Sequence, residues 1–117
     1  MIGDYEREND RVTISYAETP EFGFASTTTL IFDASERSVL TLLRTGEVSG
    51  VFRFDDRDRR QRCSYETPVM PVEFTVNTRK LLNTVDENGG AVLLDYFLEI
   101  HGVNTERNRL FIEVRPI

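Results

Sequence analysis

The sequence predicts an all-β protein, an antiparallel up-and-down β-barrel of about eight to nine strands. Three observations carry that expectation. Two long runs flank Glu87-Asn88-Gly89-Gly90, and both alternate: Val72, Phe74, Val76, Thr78 and Leu82 share one parity in the first, and Val92, Leu94, Tyr96, Leu98 and Ile100 share one in the second. A period of two places each set on one face of a strand. Short segments rich in threonine, valine and aromatic residues recur along the rest of the chain with turn residues between them, which is strand composition at hairpin spacing. Helical periodicity is missing. The best candidate, Asn77 to Asp86, opens without an N-cap and lies among the β-branched Val76, Thr78 and Val85.

Taken in order, Ile2 to Glu8 reads as a first strand and Asn9-Asp10 as a turn. Arg11 to Glu18 follows with Val12, Ile14 and Tyr16 on one face. Thr19-Pro20-Glu21-Phe22-Gly23 breaks the pattern, because proline removes a ladder donor and glycine permits a turn. Ser26 to Phe32 is a β-branched strand, Asp33 to Arg37 a polar turn, and Val39 to Thr45 the next strand. Gly46 is expected as a bend or bulge. Phe52 and Phe54 share a face of the following strand, and the charged stretch from Asp55 to Arg60 is a hairpin loop. Arg62 to Thr67 is a strand, and Pro68 and Pro71 punctuate the chain before the long hairpin. Val103 to Asn108 is expected to turn the chain into a last strand whose inward residues are Leu110, Ile112 and Val114.

With 117 residues the chain is one domain by length, spanning 1–117. A net charge of −6 argues against a non-specific nucleic-acid binder, which needs a basic field. One cysteine, Cys63, and one histidine, His101, exclude an internal disulfide and a Cys/His zinc site within one chain. No apolar run approaches the ~20 residues of a helical membrane span. The N-terminus lacks the apolar core of a signal peptide, so the cytoplasm is the expected location. No cofactor is implied.

Several stretches resemble a known family. They are Ile14-Ser15-Tyr16-Ala17-Glu18-Thr19, Thr27-Thr28-Thr29-Leu30, Leu43-Arg44-Thr45-Gly46-Glu47, Tyr65-Glu66-Thr67-Pro68, Thr78-Arg79-Lys80-Leu81, and Gly89-Gly90 leading to Leu94-Asp95-Tyr96-Phe97-Leu98-Glu99-Ile100. In their order and spacing they resemble the YwiB-like group of small bacterial proteins, a domain of unknown function. The resemblance implies a calycin-like barrel, the architecture of lipocalins and fatty-acid-binding proteins. It implies no reaction. Family members carry a further strand ahead of the position matching Gly3-Asp4-Tyr5, so this chain is expected to leave a barrel edge open. An open edge invites pairing with a second chain, hence a homodimer.

Candidate ligand-binding residues follow from parity. Arg44 shares the parity of Leu40 and Leu42, while Val39 and Leu43 offer the opposite face, so two orientations stay open. Facing inward, a guanidinium would pair with a ligand carboxylate bidentately. Tyr16, Tyr65 and Tyr96 fall on the inward parity of their strands, which suits a cavity wall or an ordinary core. Thr78 is a small polar residue in an apolar inward row. Asp95 and Glu99 lie on the outward parity and are expected to face water. The interleaved charges of Asp55 to Arg62 read as a solvated hairpin tip, and Cys63 as an inert thiol with no positioned base. His101 has no identifiable nucleophile to serve. The leading expectation is non-enzymatic: a small apolar or amphipathic ligand held inside the barrel by Arg44, Tyr65, Thr78, Tyr96 and Tyr16. The alternative is a protein–protein interaction module acting through an open edge or rim.

Overall fold

A computed structural model describes residues 3–18, 26–46 and 49–116. Nine strands form one sheet: β1 (Asp4–Glu8), β2 (Arg11–Glu18), β3 (Ser26–Asp33), β4 (Glu36–Gly46), β5 (Ser49–Asp55), β6 (Arg60–Glu66), β7 (Pro71–Asn83), β8 (Gly90–Ile100) and β9 (Val103–Val114). Their order in the sheet is their order in the chain, and every neighbouring pair is antiparallel. The protein is therefore an up-and-down, barrel-like meander, as the alternation predicts. Hydrogen bonds do not close it: among the described residues β1 pairs with β2 alone and β9 with β8 alone. No helix in the described residues is long and apolar enough to cross a membrane.

The sheet curls at β5 and β6, which share register only from Ser49↔Glu66 to Val51↔Ser64. Beyond that point they diverge around the charged loop. There the Thr78 amide donates to the carbonyl of Arg59 at 2.8 Å, and β7 packs back across β4 and β5. The enclosed face carries the core. Leu30, Leu40, Val76, Val92 and Leu94 are fully buried, joined by Val12, Phe54 and Cys63. Each large aliphatic side chain removed from water in this way contributes ~2 kcal/mol. Polar and charged residues take most of the alternate positions, with Val51, Leu82 and Phe111 as exposed apolar exceptions, so the period of two in the sequence becomes the inside and outside of the sheet.

One end is covered by the β7–β8 connection. Val85 is completely buried there. Its carbonyl accepts a hydrogen bond from Nη1 of Arg37 at 2.6 Å, and its amide donates to Oδ1 of Asn83 at 3.1 Å. Arg7 reaches Glu87 at 3.6 Å from the β1–β2 hairpin.

Several expectations are corrected. Leu82 was assigned to the inward parity, but a bulge between Thr78 and Lys80 shifts the register of β7. Leu81 and Asn83 then face inward, and Leu82 is 50 % exposed. Ile100 ends its strand beside the turn and is likewise exposed. Glu99 does not face water: it is buried on the outer surface, under Arg60 and Asn77. Asp95 is also outward but largely covered, held by Arg107.

The last turn is His101-Gly102 and not Val103 to Asn108, which belongs to β9. Both turn residues adopt positive φ, 53° and 79°, the geometry of a tight two-residue hairpin. β4 starts at Glu36, which shortens the preceding turn to Ala34-Ser35, and Gly46 ends β4 rather than bulging within a continuous strand. The first strand is described from Asp4, so Ile2 lies outside the described residues, as does the break at Thr19 to Gly23.

Candidate functional site

The register of the sheet lays Tyr16, Thr28, Arg44, Gly50 and Tyr65 in one row across β2 to β6. Because Leu30, Leu40, Leu42 and Phe54 of these strands are buried inside, this row lies on the inner face. Arg44 is thus on the inward side, and its Nη1 donates to the Tyr65 hydroxyl at 3.5 Å. The Tyr65 ring lies over Gly50: a Cβ there would meet Cδ2 of Tyr65 at 2.7 Å and the Ser64 carbonyl at 3.0 Å. Glycine at 50 is what lets the aromatic ring settle against the backbone.

An aromatic cluster fills the space between this row and the core. Phe52 packs on Tyr65 and on Phe74 with ring centroids 5.5 and 5.4 Å apart, and Phe54 packs on Tyr96 at 4.8 Å. These tilted geometries are the favoured ones for π-systems. Burial pushes the Tyr96 phenol above its ordinary range, while the Arg44 charge pulls it the other way. Burial likewise raises the Cys63 thiol. That thiol is therefore a poor nucleophile at neutral pH. Thr78 pairs with Tyr96, and Tyr96 with Asn108, in a second inward row. The Thr78 hydroxyl and the Asn108 amide nitrogen are buried there without a hydrogen-bond partner among the described residues.

A hollow lies elsewhere along the inner face. It is a groove of ≈ 610 Å³ at the unclosed seam between β1 and β9. Tyr5, Ile14 and Tyr16 form one wall, Leu110, Ile112 and Val114 the other, and Asp86 and Glu87 of the β7–β8 connection close one end. The volume falls within the range of small-molecule sites. The Tyr5 hydroxyl is buried and has no hydrogen-bond partner among the described residues. Charges at the rim are mostly acidic: Asp4, Asp86, Glu87 and Glu113 against Arg115. Arg7 engages Glu87 and Arg115 engages Glu113.

Of the five residues singled out by parity, Tyr16 lines this groove. Arg44 and Tyr65 are joined to each other further along the inner face, and Thr78 and Tyr96 are packed in the wall formed by β7 and β8; none of these four lines it. Sequence reasoning missed Tyr5, Leu110 and Ile112 as neighbours of Tyr16. The seam joins the two ends of the chain, and no local spacing reports how far apart they settle. The one available signal is that Tyr5 is the sole apolar residue of Asp4–Glu8. The charged 55–60 loop is a structural turn: Oδ1 of Asp55 accepts from the amides of Arg57 and Asp58 at 2.9 and 3.2 Å, Arg59 lies 3.5 Å from Asp56, and Arg57 and Arg60 reach out to Glu36 and Glu99.

A family model described as "Domain of unknown function (DUF1934)" matches residues 1–112, and the chain belongs to that family. No curated protein and no solved structure matches it.

Proposed function

We propose that this DUF1934 protein is a non-enzymatic binding protein that takes a small apolar or amphipathic ligand in the groove between β1 and β9. The observation that carries the reading is the groove itself, with apolar inner-face side chains on both walls. The acidic rim favours a neutral or cationic head group over a carboxylate. The resemblance to the YwiB-like group, with its calycin-type barrel, points to the same class of function by analogy of architecture.

The test is a titration with two fluorescent probes of similar size, neutral N-phenyl-1-naphthylamine and anionic anilinonaphthalene sulfonate. The neutral probe is expected to bind more tightly. Ile112→Trp, which fills the groove, should weaken it at least about tenfold while the unfolding midpoint shows that the fold persists. Absence of probe binding, or binding that Ile112→Trp leaves unchanged, overturns the reading.

A further inference from the structure

We propose that the free edge of β9 is a homodimer interface, in which β9 pairs antiparallel with β9 of a second copy about a two-fold axis passing near Leu110. The first argument is topological. With every neighbouring pair antiparallel, β1 and β9 of a nine-stranded meander run in the same direction. Direct closure would demand a lone parallel pair, so the strand that fits beside β9 is one running opposite to it. A two-fold axis supplies that direction automatically, because the same edge meets itself reversed.

The second argument is the edge. Exposed edges are ordinarily blunted by proline, charged side chains, bulges or brevity. β9 spans Val103–Val114, is long, contains no proline, and pairs only with β8 among the described residues. Its charges, Glu106, Arg107, Arg109 and Glu113, leave the edge open only to a partner of matching charge. Its one register shift lies beside Glu99, close to the turn. From Glu106 onward the edge is regular, and Phe111 stands 63 % exposed on its outer face.

The third argument names the partner. With Leu110 opposite Leu110 of the second copy, the outward residues Arg107, Arg109, Phe111 and Glu113 meet their own sequence reversed. Each Arg107, which holds Asp95 of its own chain, then faces a Glu113, which its own Arg115 engages, and each Arg109 faces a Phe111. Opposite charges and cation–π partners are the favourable cross-strand pairs. The same register keeps Asn108, Leu110 and Ile112 on the inner side of both copies. An outward row with Arg107 at one end and Glu113 at the other is self-complementary only on reversal, which is what the two-fold provides. Leu110 to Val114 also line the groove, so the second copy's β9 takes the place in the seam that the ligand reading gives to a small molecule, and dimer and ligand compete for it.

The experiment is sedimentation equilibrium on the native chain and on Glu113→Arg, Arg107→Glu and their equimolar mixture. The native chain is expected to be a dimer. Each variant alone sets like charges opposite at two symmetry-related places and should weaken the dimer at least about thirty-fold. In the mixture every facing pair is again Arg opposite Glu, so a heterodimer should form. As a readout on the unaltered protein, hydrogen exchange of β9 amides should slow with rising concentration. A monomeric native chain, a dimer that Glu113→Arg does not weaken, or β9 exchange independent of concentration would overturn the proposal. Because dimer and ligand compete for the seam, sedimentation without probe tests the dimer and probe titration of dilute, monomeric chain tests the ligand site, so the two failures give different results.

Discussion

The Oε2 atom of Glu99 accepts two hydrogen bonds from Arg60, at 2.7 Å from Nη2 and 3.1 Å from Nε, and so ties β8 to β6 across the intervening β7. Nδ2 of Asn77, on β7 itself, donates to the other carboxylate oxygen at 3.3 Å. The Glu99 side chain is 8 % exposed, whereas Arg60 is 64 % exposed. The acid is thus buried beneath a base that stays in contact with water. Arg60→Ala should destabilise the fold by about 1–2 kcal/mol. That is less than breaking a fully buried pair costs, because water can partly replace the guanidinium. A double-mutant cycle with Glu99→Gln in urea checks it, and a coupling energy near zero would show that the pair is ornamental.

Much of this architecture is legible in the alternation of side chains, and the failures are instructive. Val92 and Leu94 lie where a period of two puts them, as do Leu110 and Ile112. The same rule misplaces Leu82 because a single extra residue in β7 reverses every parity after it. Burial of Glu99 is invisible for a different reason. An outward carboxylate is covered only when a long cation from a strand two places away folds over it, and that depends on register between distant segments. The groove between β1 and β9 is hidden in the same way, since it exists only through the spacing of those two strands.

The β7 bulge gives a sharp test of side-chain direction. Leu81 is 5 % exposed and Leu82 is 50 % exposed. Leu81→Ala should cost about 2–4 kcal/mol, the usual price of a core cavity. Leu82→Thr should fall within about 0.5 kcal/mol of the parent, as surface changes do. Urea unfolding of the two variants decides it. Equal effects, or a larger effect at 82, would mean that the register runs through without the bulge.

Gly50 is predicted to be intolerant of even one methyl group. An added Cβ would lie 2.7 Å from the Tyr65 ring and 3.0 Å from a backbone carbonyl that has little freedom to retreat. Gly50→Ala should therefore destabilise by about 1–3 kcal/mol. Combining it with Tyr65→Ala should recover part of that loss, because the nearer obstruction is removed. If Gly50→Ala is neutral by itself, the ring does not rest on the strand as described.

Acid should unfold this protein through named carboxylates. The hydrogen bond from Arg107, with its charge close by, holds Asp95 below the ordinary carboxylate range. Asp33 is lowered by the Ser35 hydroxyl and amide, Glu36 by the Ser38 hydroxyl and Arg57, and Asp55 by the amides of Arg57 and Asp58. In each case the folded protein releases its proton more readily than the unfolded chain, so the unfolded state binds more protons in the acid range. The stabilisation is complete above the unfolded value of about 4 and is lost as pH falls through the lower folded values. The urea midpoint should be level from about pH 7 to pH 5 and drop steadily below about pH 4. Asp95→Asn should lower stability at pH 7 and flatten the acid slope, because Arg107 then has no titrating partner in Asp95. A midpoint at pH 3 equal to that at pH 7, or a slope that Asp95→Asn leaves unchanged, would remove these groups as the source of acid sensitivity.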